Sequence, residues 1–335
     1  MGLINELNAT SSVYWMNKGR AEDIVNKASA LLWKLMANAT ANDNFEVKAH
    51  ETVDGGKMVE VALKYANSNH GAYGANTIIN QSKKNIIDAA RFGWGGAYGS
   101  NTLNLDDKIK NSNSDAIIDL TKQYMESIKE SARVDLATQI MGAKGTTDGI
   151  NGLLDLFNIT ALGVEGATSV EYGSIAESAM ADWKSNVITT AANISFETMQ
   201  AIFREPNMGD IDSKLPNFCC TTTLLKDGYE LSLHPQQRYN DVSAEMVSAG
   251  WRHIMHKGAY IVADAGVPTG WLFALNLNYL MFRAHKDFNF TAPVWASKEI
   301  LGQPDVMSAN TRFVGNLFCT NRKMQVLHTN LTPPE

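Results

Sequence analysis

The stretch SNSDAIIDLTKQYMESIKESARVDLATQIMG, residues 112–142, decides how the rest of the chain is read. Ser112, with Asp115 three residues on, fits a helix start: a hydroxyl to cap the first free amides and an acid near the positive end of the helix dipole. Ile118, Thr121, Met125, Ile128, Ala132, Leu136 and Ile140 follow at spacings of three or four, the period of a helix with one covered face. Gly142 is a natural stop, because the left-handed residue that ends a helix is adopted most easily by glycine. The spacing predicts one helix of about 30 residues, on the order of 45 Å long at the standard rise. Ordinary globular helices run about three or four turns. This one is a spine, and a spine suits an elongated subunit better than a compact enzyme.

Immediately before the spine, from Asn67 to Thr102, the chain is rich in Gly, Asn and Ser and contains the run Arg91-Phe92-Gly93-Trp94-Gly95-Gly96-Ala97-Tyr98-Gly99. The stretch is too long and too polar for a buried connection, and connections of that length are usually functional or disordered. Its aromatic residues Tyr73, Phe92, Trp94 and Tyr98 argue for a loop that finds a partner surface. Glycines flanking Trp94 make poor core neighbours, so an interface is expected for it rather than a core. Farther upstream, Phe45, Val47 and Ala49 alternate with polar residues. Asp54-Gly55-Gly56 follows, and Val59, Val61, Leu63 and Tyr65 alternate again, the pattern of a hairpin. A helix is expected from Ala21 to Ala39. The segment before it is a polar extended arm with one sticky spot at Tyr14-Trp15-Met16.

Downstream, after the glycine-punctuated stretch Gly142 to Gly152, a second α+β unit is expected. Helices are read over Ser174–Val187, from Ser195 to Pro206, and through Leu224, Leu225 and Tyr229. Strands are read at Phe218–Thr222, Ala259–Ala263 and Leu272–Leu275, the last two split by a turn at Gly266 to Gly270. Alternation returns at Leu280, Phe282 and Ala284, and again over Phe313, Gly315, Leu317 and Cys319. The class is α+β, with no internal repeat.

Composition excludes several functions. Net charge is −6, and the nearest thing to a basic run is Lys83-Lys84, so a protein that coats nucleic acid by neutralising phosphates is disfavoured. The three cysteines, Cys219, Cys220 and Cys319, form no CxxC pair. An odd number of them without a signal-peptide pattern points to a reducing compartment and folding in cytosol. No window approaches the ~18 apolar residues of a membrane span, so no membrane partner is expected.

Chemical motifs are equally sparse. Gly142-Ala143-Lys144-Gly145-Thr146-Thr147 lacks the order of a phosphate-binding loop and follows a helix where a strand is needed. Gly93 to Gly99 is not GxGxxG. His253 and His256 lack the companions of a metalloprotease site. There is no GxSxG elbow. Cys219 beside His234 is better read as one of two buried thiols in an apolar strand. Asp106-Asp107 and Glu22-Asp23 are solvated helix-end pairs. No catalytic, cofactor or metal site is expected, and the chain is not read as an enzyme.

The element order resembles that of tailed-bacteriophage major capsid proteins of the Hong Kong ninety-seven type. Phrases in the C-terminal half carry the resemblance. Leu233-His234-Pro235-Gln236-Gln237-Arg238-Tyr239-Asn240-Asp241 precedes Gly250-Trp251-Arg252-His253-Ile254-Met255-His256-Lys257-Gly258-Ala259, which is similar to the family's GF-x-x-L-x-x-KGA phrase, and a strand then ends at Asp264. Leu275 to Leu280, His285 to Phe290 and Gly315 to Arg322 follow in family order.

The resemblance implies an N-terminal arm and helix (1–43), hairpin strands of a peripheral domain (44–66), and an extended loop (67–103). It then implies the spine helix (104–151), an axial domain (152–276), and return strands of the peripheral domain (277–335). It implies self-association into pentamers and hexamers of an icosahedral shell around double-stranded DNA. A scaffolding protein and a portal are implied as partners, and the DNA would be touched only weakly. Assembly would take place in the host cytoplasm and the product would be part of the virion. An encapsulin-like compartment shell is the alternative. Tyr14, Trp15, Tyr73, Arg91, Trp94 and Tyr98 are the expected subunit-interface residues. No covalent crosslink is expected.

Overall fold

The computed structural model describes residues 29–36, 50–74, 78–104, 106, 120–144, 148–161, 164–165, 171–180, 182–206, 214–233, 253–291, 293–298 and 303–334. Along the chain run helix α1 (Ala30–Met36) and strands β1 (His50–Val53), β2 (Val59–Lys64), β3 (Ile87–Phe92) and β4 (Gly95–Asn104). The spine helix α2 (Leu120–Met141) and the short α3 (Leu153–Leu156) come next. Small pairs β5 (Ile159–Ala161) with β6 (Val164–Glu165), and β7 (Glu171–Tyr172) with β8 (Ile175–Ala176), lead to β9 (Asn186–Ile188) and β10 (Ala192–Asn193). Then come α4 (Phe196–Arg204), β11 (Phe218–Thr221), α5 (Thr223–Leu233), β12 (His253–His256), β13 (Ala259–Ala263) and β14 (Leu272–Leu275). The chain returns through β15 (Leu280–Asn289), β16 (Ala296–Lys298), β17 (Gln303–Cys319), a 3-10 turn at Arg322–Met324, β18 (Val326–His328) and β19 (Leu331–Thr332).

Two sheets organise these elements. In the first, β15 lies between β1 and β17; β16 also pairs with β17, and β4 runs along β17's other edge from Gly95 to Asn104. The spine helix lies on this sheet. Its contact residues Ile128, Ala132, Leu136 and Ile140 recur every fourth position and are at most 2% exposed, which is one of the inclined ridges along which helices pack. The Ser112 start expected for the spine lies outside the described residues; its end at Met141, before Gly142, is as expected.

Two glycines of the run upstream are explained by close backbone packing. A Cβ on Gly99 would collide with the Ile128 carbonyl oxygen of the spine, and one on Gly95 with the carbonyl of Gly149. Only glycine lets strand and helix backbone approach so closely. Residues 87–92 and 95–104 are therefore strands, not part of an extended loop over 67–103. Low side-chain volume and polarity look the same in a loop and in a strand pressed against a helix.

The second sheet has six strands in the order β12-β13-β11-β14-β18-β9. Its central strands β11 and β14 are buried at every residue, covered on both faces. Cys219, Ile261 and Ala274 point to one face, where α4 and α5 supply Met199, Ile202, Phe203, Leu225 and Tyr229. Phe218, Cys220, Val262, Phe273 and Leu275 point to the other, in a core shared with the spine and the first sheet. The Lys257-Gly258 pair turns β12 into β13 with both residues at positive φ, 47° and 81°. That is the primed turn that matches strand twist, and glycine at its second position adopts it without strain. α1 is tied to this region from afar: the Asp264 carboxylate accepts from the Ser29 hydroxyl (2.9 Å) and the Leu31 amide (3.2 Å), satisfying a free amide at the helix start.

Three sequence expectations change. β1 pairs in parallel with β15 and β2 pairs with β3, so the two do not form a hairpin with each other. Gly55 and Gly56, at φ 138° and 112°, are a strap between sheets and not a hairpin turn. The helix expected over Ser174–Val187 is absent. Gly173 and Ser174 turn β7 into β8 at φ 64° and 62°, and the Trp183 indole donates to the Tyr172 carbonyl at 3.0 Å. Helix-like spacing of Ala176, Ala179, Met180 and Trp183 is overridden by tertiary contacts. Finally, β18 at 326–328 joins the six-stranded sheet, so the return region over 277–335 serves both sheets.

The 3-10 turn holds the bulkiest fully buried side chain among the described residues. Arg322 is fully buried; its Nε and Nη2 donate to the Leu156 carbonyl (3.0 and 2.6 Å) and its Nη1 to the Trp183 carbonyl (2.9 Å). Glu177 sits 2.8 Å away, close in charge but off the hydrogen-bond angle, and the guanidinium lies 4.8 Å from the Tyr172 ring centre.

Candidate subunit interface

β2 and β3 form a two-stranded arm that leaves the first sheet, and its outer part carries several exposed apolar side chains. Beyond the last pair, Lys64 with Ile87, residues 65–74 and 78–86 have no helix or strand. A few local bonds shape this reach. The Tyr65 amide donates to the Ile86 carbonyl (3.1 Å), and the Asn69 side chain donates to the Ser82 carbonyl (2.7 Å). Tyr73 is 77% exposed, Ile78 95%, Ile79 61% and Ile87 64%. Scattered single apolar residues are ordinary on a surface, but this concentration on one protrusion is the signature of an interaction site. Between Val61 and Ile87 there are three lysines, Lys64, Lys83 and Lys84, and no Asp or Glu, in a chain of net charge −6. The arm is thus apolar and cationic, suited to an apolar, acidic receiving surface.

The root of the arm is built quite differently. Phe92 stacks on Phe318 at 5.1 Å and meets Tyr172 edge-on at 5.1 Å. The Arg91 amide donates to the Gly173 carbonyl (2.8 Å), and the buried Asn316 side chain donates to the Gly93 carbonyl (2.6 Å) while accepting from the Asn151 amide (2.9 Å). Trp94 is half-buried. Its indole donates to the Gly56 carbonyl (2.7 Å) and its ring stands edge-on to His285 at 5.9 Å.

The expected interface residues therefore fall into different settings. Tyr73 lies on the free reach. Tyr98, 72% exposed, lies on the face of β4 turned away from the spine, directly across from Arg312. Arg91 is on the arm, its guanidinium 3.0 Å from Glu60 across the strand pair, both exposed. Trp94 is at the root, bonded within its own chain. Tyr14 and Trp15 lie outside the described residues. Sequence reading passed over Ile78, Ile79 and Ile87, the exposed aliphatics of the arm. Four isoleucines, Ile78, Ile79, Ile86 and Ile87, in a Gly/Asn/Ser-rich, acid-free stretch were the available signal.

The chemistry weighed from sequence finds no assembled centre. Cys219, Cys220 and Cys319 are fully buried. Burial pushes the thiols of Cys219 and Cys220 far up and that of Cys319 to about 12, so none is a thiolate near neutrality. His234 lies outside the described residues. His256 is buried among Phe196, Phe203 and Tyr229, with its Nδ1 2.7 Å from the Tyr229 hydroxyl. Burial, with the nearby Lys257 charge, lowers it to about 4, so its ring is neutral and structural. Among the described residues no group of three or more His, Cys, Asp and Glu side chains is placed to hold a metal ion, and no helix is long and apolar enough to cross a membrane.

No protein-family model and no curated protein matches the sequence. Solved structures do match in three dimensions. The chain is similar to a subunit of the cyanophage A-1(L) capsid, with a TM-score of 0.67 and 15% identity over 97% of this chain and 99% of that one. It is similar to the SrpI encapsulin of Synechococcus elongatus PCC 7942, with a TM-score of 0.60 and 7% identity over 100% and 98%. A capsid chain of a native GTA particle matches with a TM-score of 0.58 and 10% identity over 98% and 100%. At such identities the likeness is one of architecture, and it spans both partners almost end to end. The chain is an α+β protein with the capsid fold of the Hong Kong ninety-seven type.

Proposed function

We propose that this chain is the major capsid protein of a tailed bacteriophage, assembling with copies of itself into the icosahedral shell around the genome. The single observation that carries the reading is the arm: a fold typical of shell subunits, from which projects an apolar, cationic reach whose Tyr73, Ile78 and Ile79 stand exposed among the described residues. On this reading the first sheet, spine and arm form the peripheral domain, and the six-stranded sheet with α4 and α5 forms the axial domain near the capsomer centre. Tyr73 and the arm isoleucines dock on a neighbouring copy, each contributing roughly 1.5–3 kcal/mol if fully covered. Arg91, Tyr98 and the Tyr14-Trp15 spot add contacts at other copies. Heterologous contacts of this kind close into rings when the rotation allows. The overall acidity fits a wall past which DNA slides, held only weakly. A scaffolding protein and a portal would be its assembly partners in the host cytoplasm.

The test is electron microscopy of the purified chain, alone and with its scaffold, beside a variant in which residues 66–85 are replaced by a short Gly-Ser turn. Pentamers, hexamers or shells from the intact chain, and folded monomers from the variant, are expected. Normal shells from the variant would remove the arm from the account, and a chain monomeric under all conditions would remove the shell itself.

A second reading, an encapsulin-like compartment, is favoured by one observation: the similarity to the SrpI encapsulin is nearly as great as that to the cyanophage capsid. The contents of purified shells, double-stranded DNA or a protein cargo, decide between them.

A further inference from the structure

The root of the arm contains an asymmetry that assigns Trp94 a role other than docking. The two strands of the arm join the body in different ways. On the β3 side the connection is fixed: Phe92 is buried against Phe318 and Tyr172, the Arg91 amide is bonded to Gly173, and the Gly93 carbonyl is held by the buried Asn316. On the β2 side the chain crosses from β1 by the strap Asp54–Met58, most of which is exposed. Gly55 and Gly56 there sit at φ values that only glycine adopts freely, so the strap has the rotational freedom of two glycines in succession.

Among the described residues two polar contacts hold this strap. One is the Lys286–Asp54 pair, 3.4 Å apart and largely solvated, the kind of exposed ion pair that contributes little. The other is the 2.7 Å hydrogen bond from the Trp94 indole to the Gly56 carbonyl. Trp94 is itself braced: its ring stands against His285, which in turn meets Phe288 edge-on at 5.4 Å and receives the Asp287 amide at 3.2 Å.

We propose that Trp94 is the positioning residue of the arm, a strut that ties the glycine strap to the fixed strand and so sets the tilt at which the reach leaves the body. The proposal rests on the reading of this chain as a shell subunit only for its consequence, since tilt at every arm sets the angle between copies. The strut itself is a property of one subunit.

The experiment separates the two. A spin label on the arm (Lys84→Cys) and one on the exposed face of the spine (Lys129→Cys) report the arm-to-spine distance in unassembled subunits. The native cysteines are buried and stay unlabelled in the folded chain. Trp94→Phe keeps an aromatic ring beside His285 and removes the N–H donor. The strut predicts a single narrow distance peak in the parent, its loss in Trp94→Phe, and an unchanged urea midpoint. In assembly reactions the same variant is expected to give shells of mixed diameter. A distance peak equally narrow in Trp94→Phe and in Trp94→Ala overturns the strut. Shells of uniform parental diameter from a variant whose peak has broadened overturn its effect on curvature. If the parent forms no shells, the capsid reading fails while the distance measurement still decides the strut.

Discussion

The turn at Arg322 and the reach from Tyr65 to Ile86 are opposites in how they settle their interactions. Arg322 buries a charge completely and finds every partner within its own chain: two carbonyls, a carboxylate and an aromatic face. The reach exposes Ile78 at 95% and Tyr73 at 77%, with only a few local bonds. Burial of a guanidinium is tolerable only when its donors are met, and exposure of aliphatics is stable only when nothing stickier is nearby. One region is therefore settled within the subunit, and the other is the part that the proposed shell would cover. Substitutions should separate accordingly.

The largest effect is expected at the closed region. Arg322→Met leaves the Trp183 carbonyl without its donor, the Leu156 carbonyl with the Ser185 hydroxyl alone, and Glu177 without its counter-charge, and should cost roughly 3–5 kcal/mol. Urea denaturation measures it; a midpoint within error of the parent would show that the node is incidental. Next comes pH. His256 is held at about 4 in the folded chain, against an ordinary value near 6.5. A depressed histidine contributes stability that is complete above about pH 6.5 and is lost as the pH falls toward 4, to a total of about 3 kcal/mol. His256→Gln should flatten that part of the stability profile; an unchanged slope between those pH values would dismiss the buried ring as its cause.

A smaller loss is expected where strand meets spine. Gly99→Ala puts a methyl into the Ile128 carbonyl and should cost on the order of 1–3 kcal/mol, as overpacking does. Gly71→Ala, on the reach with open space around it, serves as control. Equal stability of the two would break the close-packing account. The smallest effect on stability, within about 0.5 kcal/mol, is expected for Ile78→Ser combined with Ile79→Ser. There the loss should appear in assembly, read by sedimentation. A variant that assembles normally would place the docking surface elsewhere.

The same contrast governs what the sequence disclosed. The spine was legible because Ile128, Ala132, Leu136 and Ile140 repeat on a helical period and face one continuous sheet. β11, α5, β13 and β14 were legible because apolar runs of the right length have few alternatives. The Gly93–Gly99 run was not, since the Ile128 carbonyl that Gly99 packs against and the Gly149 carbonyl behind Gly95 both lie far along the chain. Ser174–Val187 misled because its period is satisfied by contacts to Tyr172 and Arg322, not by a helix. At the interface, aromatic residues drew the eye to Trp94, whose partners are in its own chain. The bare isoleucines, lacking any motif, drew none. No local pattern distinguishes an apolar side chain left exposed on the subunit from one covered within it.

The placement of β18 has a consequence for biosynthesis. Residues 326–328 lie between β14 and β9, so neither of those strands has its neighbour on that side until the ribosome has delivered this segment. A nascent chain halted before Val326 leaves β9 unpaired, and the Asn186 region should be cut readily by protease. Until that point the subunit lacks a finished six-stranded sheet, so the order of synthesis makes closing that sheet one of the last steps of its folding.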